Sequence, residues 1–197
     1  MDATLTDKTL VEGCIAGNNA AREALYKLYY GKMLSLCLRY TQNRDQARDL
    51  MHEGFLKVFE SIGMFKSEGS LEGWIRRIMV NIAIAHYHKQ NKLRLTHSAI
   101  TETDEDDHHT ETALISDDDI VAKISYEELL QLIRGLPAAY QTVFNLYAIE
   151  GYTHKEIAEM LQISEGASKS NLFKARAKLQ QQVTQLLNTQ DSYNNVQ

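Results

Sequence analysis

The chain has few of the residues that interrupt helices. Among its 197 residues there are one proline, Pro137, and ten glycines. Leu, Ala, Glu, Lys and Gln, which all favour helices, are abundant instead. The composition therefore predicts an all-α fold.

Cysteines and long apolar runs are also scarce. Cys14 and Cys37 are the only cysteines, and no Cys-x-x-Cys occurs, so a disulfide framework or a thiolate metal site is disfavoured and two buried thiols are expected. No segment approaches the ~20 apolar residues of a membrane span. Residues 1–7 lack the basic and apolar regions of a signal peptide. We therefore expect a cytoplasmic protein with no membrane insertion.

Negative charge is concentrated in one internal segment. Between Thr101 and Asp119 there are nine Asp and Glu residues and no Lys or Arg. Such a segment buries too little apolar surface to order itself, which predicts a flexible acidic linker over residues 97–121. His108 and His109 could bind a stray metal ion there, but a disordered acidic tract is the preferred interpretation. The linker would join two small helical domains, residues 1–96 and 122–188, and a polar tail would follow at 189–197.

Apolar residues recur at helical spacing on both sides of this linker. In the first block, Leu28 belongs to one such series, and the buried side of a later helix is expected to hold Leu50, Phe55, Leu56 and Phe59. In the second block, one stripe is formed by Tyr126, Leu129, Leu130 and Ile133. Pro137 is expected to end that helix and begin the next.

The segment from Thr153 to Leu179 has the pattern of a helix-turn-helix. Thr153 with Glu156 three residues later has the spacing of a capping box. Gln162 and Ile163 form the predicted turn, and Ser164 is expected to cap the second helix. The outward face of that helix carries Lys169, Ser170, Lys174 and Lys178, with Asn171 and Arg176 at its flanks. Such a face suits the DNA major groove, although a solvated basic face on an ordinary helical hairpin is the alternative.

Two patterns in the first block are compatible with binding or with simple packing. Asp49, His52 and Glu53 should share one helical face, which either is solvated or docks on a basic partner. From Arg76 to Arg94 the charged residues are all basic and alternate with aromatic ones. This combination suits single-stranded DNA. Trp74, just before this stretch, belongs either to the core or to such a surface.

These segments together resemble the sigma-70 family of RNA polymerase sigma factors. DQARDLMHEGFLKVF and SLEGWIRRIMVNIAIAHYHKQNK resemble parts of sigma region 2, and the stretch from Gly135 to Leu179 resembles region 4. The two regions occur in the family's order, with an acidic linker between them. Because the chain has no room for the further regions of housekeeping sigma factors, it is most similar to the extracytoplasmic-function group.

The resemblance implies a role for each segment. The helix that begins near Asp45 would bind core RNA polymerase, with contributions from Asp45, Asp49, His52, Glu53, Phe55 and Lys57. The next segment would engage the melted −10 promoter element through Lys66, Ser67, Ser70, Trp74, Arg77, Asn81, Lys89 and Lys92. The helix-turn-helix from His154 to Phe173 would bind the −35 element through Lys169, Ser170, Asn171, Phe173 and Lys174. An anti-sigma factor is a further implied partner.

The sequence departs from the family pattern at several positions. Gln is usual in place of His52, Thr-Val in place of Ala167-Ser168, and Arg in place of Asn171. Ser168 falls on the inward stripe, so its hydroxyl is expected to bond back to the preceding helical turn. These departures concern promoter sequence rather than the class of protein.

Nothing in the sequence predicts catalysis. No Ser-His-Asp arrangement, P-loop or metal-spaced cluster occurs, so neither a cofactor nor a small-molecule substrate is expected. Two alternatives to a sigma factor stay open. One is a stand-alone helix-turn-helix regulator with an N-terminal effector or dimerisation domain, and the other is an anti-sigma-type or scaffold protein that keeps the fold without transcription activity.

Overall fold

The computed structural model describes residues 3–97 and 124–194, and every regular element in these two ranges is helical. In the first range, α1 spans Ala3–Ile15, α2 Asn19–Leu38, α3 Arg44–Ser61, a 3-10 turn Ile62–Met64, and α4 Leu71–His97. In the second range, α5 spans Tyr126–Arg134, α6 Ala138–Phe144, a π turn Asn145–Ile149, α7 His154–Leu161, and α8 Glu165–Asn194. The all-α prediction is confirmed.

The chain divides into two compact units, Met1–His86 and Tyr87–Gln197. The division falls within α4, ten residues before the domain end that the sequence predicts at residue 96. Apart from its first residue, the predicted linker at 97–121 lies outside the described residues, as do His108 and His109. The predicted polar tail begins inside α8, which continues to Asn194.

Local capping explains where several helices begin. Asn18 accepts hydrogen bonds from the amides of Ala20 and Ala21 at the start of α2, and Asn43 accepts one from Gln46 at the start of α3. These bonds satisfy amides that have no partner within the helix. Ser125 and Glu128 form a capping box at the start of α5. The helix starts were therefore encoded by residues next to them in the sequence.

The core of the first unit is formed by one face each of α2, α3 and α4. Its largest fully buried side chains are Leu25, Met33, Leu36, Met51, Val58, Leu71, Ile75, Met79 and Val80. The helices α3 and α4 approach closely at Gly54, where an added Cβ would overlap Met79 Sδ. Cys14 and Cys37 are buried and unpaired by any disulfide, as expected.

The core of the second unit joins the end of α5 to the middle of α8. Ile133 and Leu136 pack with Ala175 and Leu179, and partly buried residues of α5, α6 and the π turn pack against them: Leu132, Tyr140, Phe144 and Ile149. One face of α8 is thus required for folding, which leaves its opposite face for solvent or a partner.

Several apolar residues predicted to be buried lie at the surface. Leu56 is 65% exposed and Leu28 is 54% exposed, whereas their neighbours Phe55 and Tyr29 are buried. In α5, Tyr126 and Leu129 are also exposed, although Leu130 and Ile133 are buried as predicted. The expectation was wrong at these positions because each helix is covered on one side only, and the covered arc is narrower than the apolar stripe.

Within the two described ranges, no helix is long and apolar enough to cross a membrane. The same residues contain no group of three or more His, Cys, Asp and Glu side chains that could hold a metal ion.

Replacement of Gly54 by Ala tests the contact between α3 and α4. Because the new methyl group would overlap buried Met79, we expect G54A to lower the free energy of unfolding by about 1–3 kcal/mol. The matched control is Gly31→Ala in the middle of α2, where an added Cβ meets nothing within 4 Å. G31A should raise stability by up to about 1 kcal/mol because Ala is the better helix former. Urea unfolding of both variants measures this, and equal effects would contradict the packing.

Burial also predicts a loss of stability at high pH. Burial raises the pKa of the Cys37 thiol from 9.0 to about 12, so the folded state keeps the proton that the unfolded state loses. The contribution of this thiol to stability should therefore be constant below pH 9 and fall between pH 9 and 12, by at most about 1.4 kcal/mol per pH unit. Urea unfolding across this range should give a shallower slope for C37A than for the wild type. Equal slopes would show that the thiol does not titrate in this way.

Candidate functional site

The exposed face of α3 carries the acidic residues that the sequence analysis selected. Asp49, His52 and Glu53 are all exposed and lie one helical turn apart. Asp45 forms an ion pair with Arg48 at 3.7 Å, and Lys57 forms one with Glu60 at 3.1 Å. Among the described residues, no cation lies within ion-pair distance of Asp49 or Glu53. This face therefore offers two unneutralised carboxylates to a basic partner.

A cluster of aromatic rings supports this acidic face from α2. The Tyr26 hydroxyl lies 3.0 Å from His52 Nε2, and the Tyr26 ring lies 4.7 Å from that of Phe55. Burial, and secondarily Tyr30, raise the pKa of Tyr26, so its hydroxyl stays protonated. Phe55 is only 2% exposed. It therefore lies beneath this face and cannot itself present a side chain to a partner.

The segment between α3 and α4 is an exposed loop with unusual backbone geometry. Ser67 has a φ of 58°, and Gly69 one of 104°. Lys66, Ser67 and Ser70 are exposed, and Ser70 Oγ also accepts a hydrogen bond from the Gly73 amide at the start of α4. Trp74 is half-buried, with its ring 5.6 Å from that of Phe65. Its environment is thus intermediate between the core and the surface roles that the sequence left open.

The other residues selected for the −10 element lie along α4. Arg77 and Asn81 are exposed and lie three and seven residues after Trp74, which places the three on one helical face. Lys89 and Lys92 are exposed and follow on later turns of the same helix. The opposite side of the helix is occupied by buried Ile75, Met79 and Ala83.

The helix-turn-helix prediction is confirmed in the second unit. Thr153 and Glu156 form the capping box of α7. Gln162 ends α7 in the left-handed conformation with a φ of 56°, which turns the chain sharply. Ser164 Oγ then accepts a hydrogen bond from the Ala167 amide at the start of α8.

The outer face of α8 presents the residues selected for the −35 element. Lys169, Ser170, Phe173 and Lys174 are exposed, and Asn171 is half-buried. Phe173 is 66% exposed, although the inner face of the same helix buries Leu172 and Ala175. A large apolar side chain exposed among cations suits contact with thymine methyl groups in a major groove.

The structure adds contacts of His154, Tyr147 and Arg176 that the sequence analysis did not predict. His154 Nδ1 lies 2.9 Å from Ser168 Oγ, and the His154 ring stacks on Tyr147 with 4.5 Å between centroids. The Arg176 guanidinium lies 5.8 Å from the centroid of the same Tyr147 ring. Ser168 is fully buried, as predicted, but its hydroxyl pairs with His154. In the sequence, the only signal for this pairing was that the Ser168 hydroxyl falls on the buried side of the helix. That signal did not identify His154 as the partner.

Two family profiles match this chain, in the order seen along it. The profile "Sigma-70 region 2" matches residues 25–93, and "Sigma-70, region 4" matches residues 126–179. The first match covers most of α2 to α4, and the second covers α5 to the middle of α8. The candidate −10 and −35 residues fall within these two matches.

Full-length relatives show the same likeness. The "ECF RNA polymerase sigma-E factor" of Haemophilus influenzae is 29% identical over 95% of this chain and 100% of its own length. The "RNA polymerase sigma-H factor" of Pseudomonas aeruginosa is 29% identical over 92% of this chain and 95% of its own. The sigma factor RpoE of Bartonella quintana, solved in complex with the anti-sigma factor NepR, aligns at 16% identity over 81% of this chain and 94% of its own, with a TM-score of 0.49. On the two profile matches and the named relatives together, this chain belongs to the sigma-70 family, in its extracytoplasmic-function (ECF) group.

Proposed function

We propose that this chain binds core RNA polymerase and directs promoter-specific transcription initiation, with α8 at the −35 element and α4 at the −10 element. The observation that carries the proposal is the capped helix-turn-helix whose second helix exposes Lys169, Ser170, Phe173 and Lys174. Cations on this face bind phosphates, and the polar and apolar side chains contact base edges. The region 2 match in the same chain distinguishes a sigma factor from other helix-turn-helix proteins.

The polymerase-binding surface is the exposed face of α3. Asp49 and Glu53 supply negative charge, and His52 is held between them and Tyr26 by the 3.0 Å contact. A basic partner surface would be attracted to these carboxylates, which steers association and fixes orientation. Leu56, exposed on the same helix, would supply apolar contact area at such an interface.

The −10 element would be held by the loop before α4 and by α4 itself. Lys66, Ser67 and Ser70 surround the backbone turn at which an unstacked base would be accommodated. The half-buried ring of Trp74 offers a stacking surface, and Arg77, Asn81, Lys89 and Lys92 are exposed for the strand backbone. Both kinds of contact are needed by a protein that holds melted DNA.

The net charge of −5 fits this division of roles. Free in solution, the chain would bind DNA weakly, because its few exposed cations neutralise few phosphates. Tethering both DNA-binding segments to polymerase raises their effective concentration near the promoter. In this scheme the polymerase and −10 domain spans residues 1–96, the linker 97–121, and the −35 domain 122–188.

The function requires no chemistry by the chain itself. We propose that it is not an enzyme and that it acts in the cytoplasm, where RNA polymerase is found. We also propose regulation by an anti-sigma factor, as is usual for the ECF group. The exposed apolar side chains of Tyr126 and Leu129 in α5 and of Leu56 in α3 are available for such a protein contact.

Run-off transcription with purified bacterial core polymerase tests the proposal. Added to core polymerase on fragments of its own genome, the chain should produce transcripts with fixed start sites that core polymerase alone does not produce. Binding to duplex DNA as a dimer without polymerase would favour a stand-alone regulator. Binding to polymerase without promoter opening would favour a scaffold or inhibitor.

Charge reversal on α3 distinguishes polymerase binding from DNA binding in the same assay. The double variant D49K/E53K should lose most core-polymerase affinity because it places cations where a basic partner docks. The control is Glu12→Lys in α1, an exposed acid paired with Lys8 at 3.9 Å, which should bind polymerase as the wild type does. Equal affinity of D49K/E53K and the wild type would place the polymerase surface elsewhere.

Thymine methyl groups should be recognised by Phe173. Replacement of the −35 thymines by uracil removes one methyl group each, and we expect wild-type initiation to fall about fourfold per contacted methyl. F173A should begin at a lower level and be insensitive to the same replacement. The control is K174A. It should remain sensitive because the removed Lys174 side chain contacts phosphate, whereas Phe173 is still present to contact the methyl groups. Equal sensitivity of F173A and the wild type would show that Phe173 does not contact these methyl groups.

A further inference from the structure

The interface between α7 and α8 contains one polar contact in mostly apolar surroundings. Ser168 is 0% exposed, and the other buried residues of the two helices include Ile157, Leu161, Leu172 and Ala175. The Ser168 hydroxyl lies 2.9 Å from Nδ1 of His154. Apolar contacts are non-directional, whereas a hydrogen bond weakens as its angle departs from linearity. This bond therefore restricts the rotation of α8 about its axis in addition to the apolar contacts.

His154 is itself held in place from two directions. It is the first residue of α7, directly after the Thr153–Glu156 capping box. Its ring stacks on Tyr147 at 4.5 Å with only 21° between the ring planes. The backbone and the ring of His154 are thus both held in place by contacts other than the one with Ser168.

Tyr147 also contacts α8 at a second position. The Arg176 guanidinium lies 5.8 Å from the centroid of its ring, within the range of a cation–π interaction. Ser168 and Arg176 lie about 12 Å apart along the helix axis. The residues proposed to meet the −35 element, from Lys169 to Lys174, lie between these two positions in the sequence.

We propose that His154 is a positioning residue for −35 recognition: through Ser168, and together with Tyr147 and Arg176, it sets the rotation of α8 in the major groove. The side chains of a helix extend about 5–6 Å from its axis, so a rotation of 20° displaces their tips by about 2 Å. Such a displacement exceeds the tolerance of base-edge hydrogen bonds. This inference rests on the proposed function, because it assigns a consequence to DNA reading by α8.

Two variants remove the bond from opposite sides with little change of shape. Ser168→Ala removes the hydroxyl and leaves a side chain that fits the same buried space. His154→Phe keeps a ring that can stack on Tyr147 but has no nitrogen for the bond. The double variant H154F/S168A removes both partners, so it should lose no more than the more impaired single variant. Thermal unfolding of each full-length variant establishes that it is folded at the assay temperature.

The readout is discrimination by the full chain with core polymerase on matched templates. One template carries the −35 element, a set carries single base-pair substitutions in it, and another carries a scrambled −35 element with the same −10 element. We expect each single variant to discriminate about fivefold to tenfold less than the wild type between the intact and substituted elements, which is the size of one lost base contact. Transcription from the scrambled template should be unchanged.

Three results would overturn the inference. Wild-type discrimination by both variants would show that the bond does not position α8. An equal loss on the intact and scrambled templates would assign His154 to folding alone, and multiplicative losses in H154F/S168A would show that the two residues act independently. If the wild type itself does not distinguish intact from scrambled templates, −35 reading by α8 fails as a function, and that failure is visible before any variant is compared.

Discussion

Burial of a single face on each long helix is the constraint on which both units of this protein depend. Small helical domains have little apolar surface to bury, so each helix must contribute one complete face to the core. In the first unit, Gly54 allows α3 to approach α4 closely enough for Met79 to fill the space between them. In the second, Ala175 and Leu179 of α8 complete the core begun by Ile133 and Leu136.

The faces that do not enter the cores carry the charges that define the function. The outer face of α3 is acidic, whereas the exposed residues of α4 and α8 beyond their first turns are mostly basic or neutral. A chain with a net charge of −5 can therefore bind both a basic protein surface and DNA, because the two partners meet different helices. In the ECF group to which the chain belongs, this separation matches docking on polymerase through region 2 and −35 recognition through region 4.

Specific polar contacts then restrict side-chain and helix orientations that apolar packing alone does not determine. Tyr26 holds His52 on α3, and His154 holds Ser168 on α8. Both contacts join two helices, and the ring of His154 is also stacked on Tyr147. The first contact lies within a surface proposed to meet a partner and the second lies beneath one, so an energetic effect on recognition is expected in both cases.

The helices, their starting points and the two regions of the family all follow from local sequence. These depend on residues within one or two turns of each other: Asn43 before α3, the Thr153–Glu156 box before α7, and the alternation of apolar and charged positions along α8. Which apolar residues are covered depends on tertiary packing: Phe55 and Leu130 are buried, whereas Leu56 and Leu129 lie at the surface. Tertiary packing also decided the pairing of Tyr26 with His52 and of His154 with Ser168. The physical reason is that capping and amphipathicity act between neighbours in the chain, whereas burial and side-chain pairing depend on which helix packs against which.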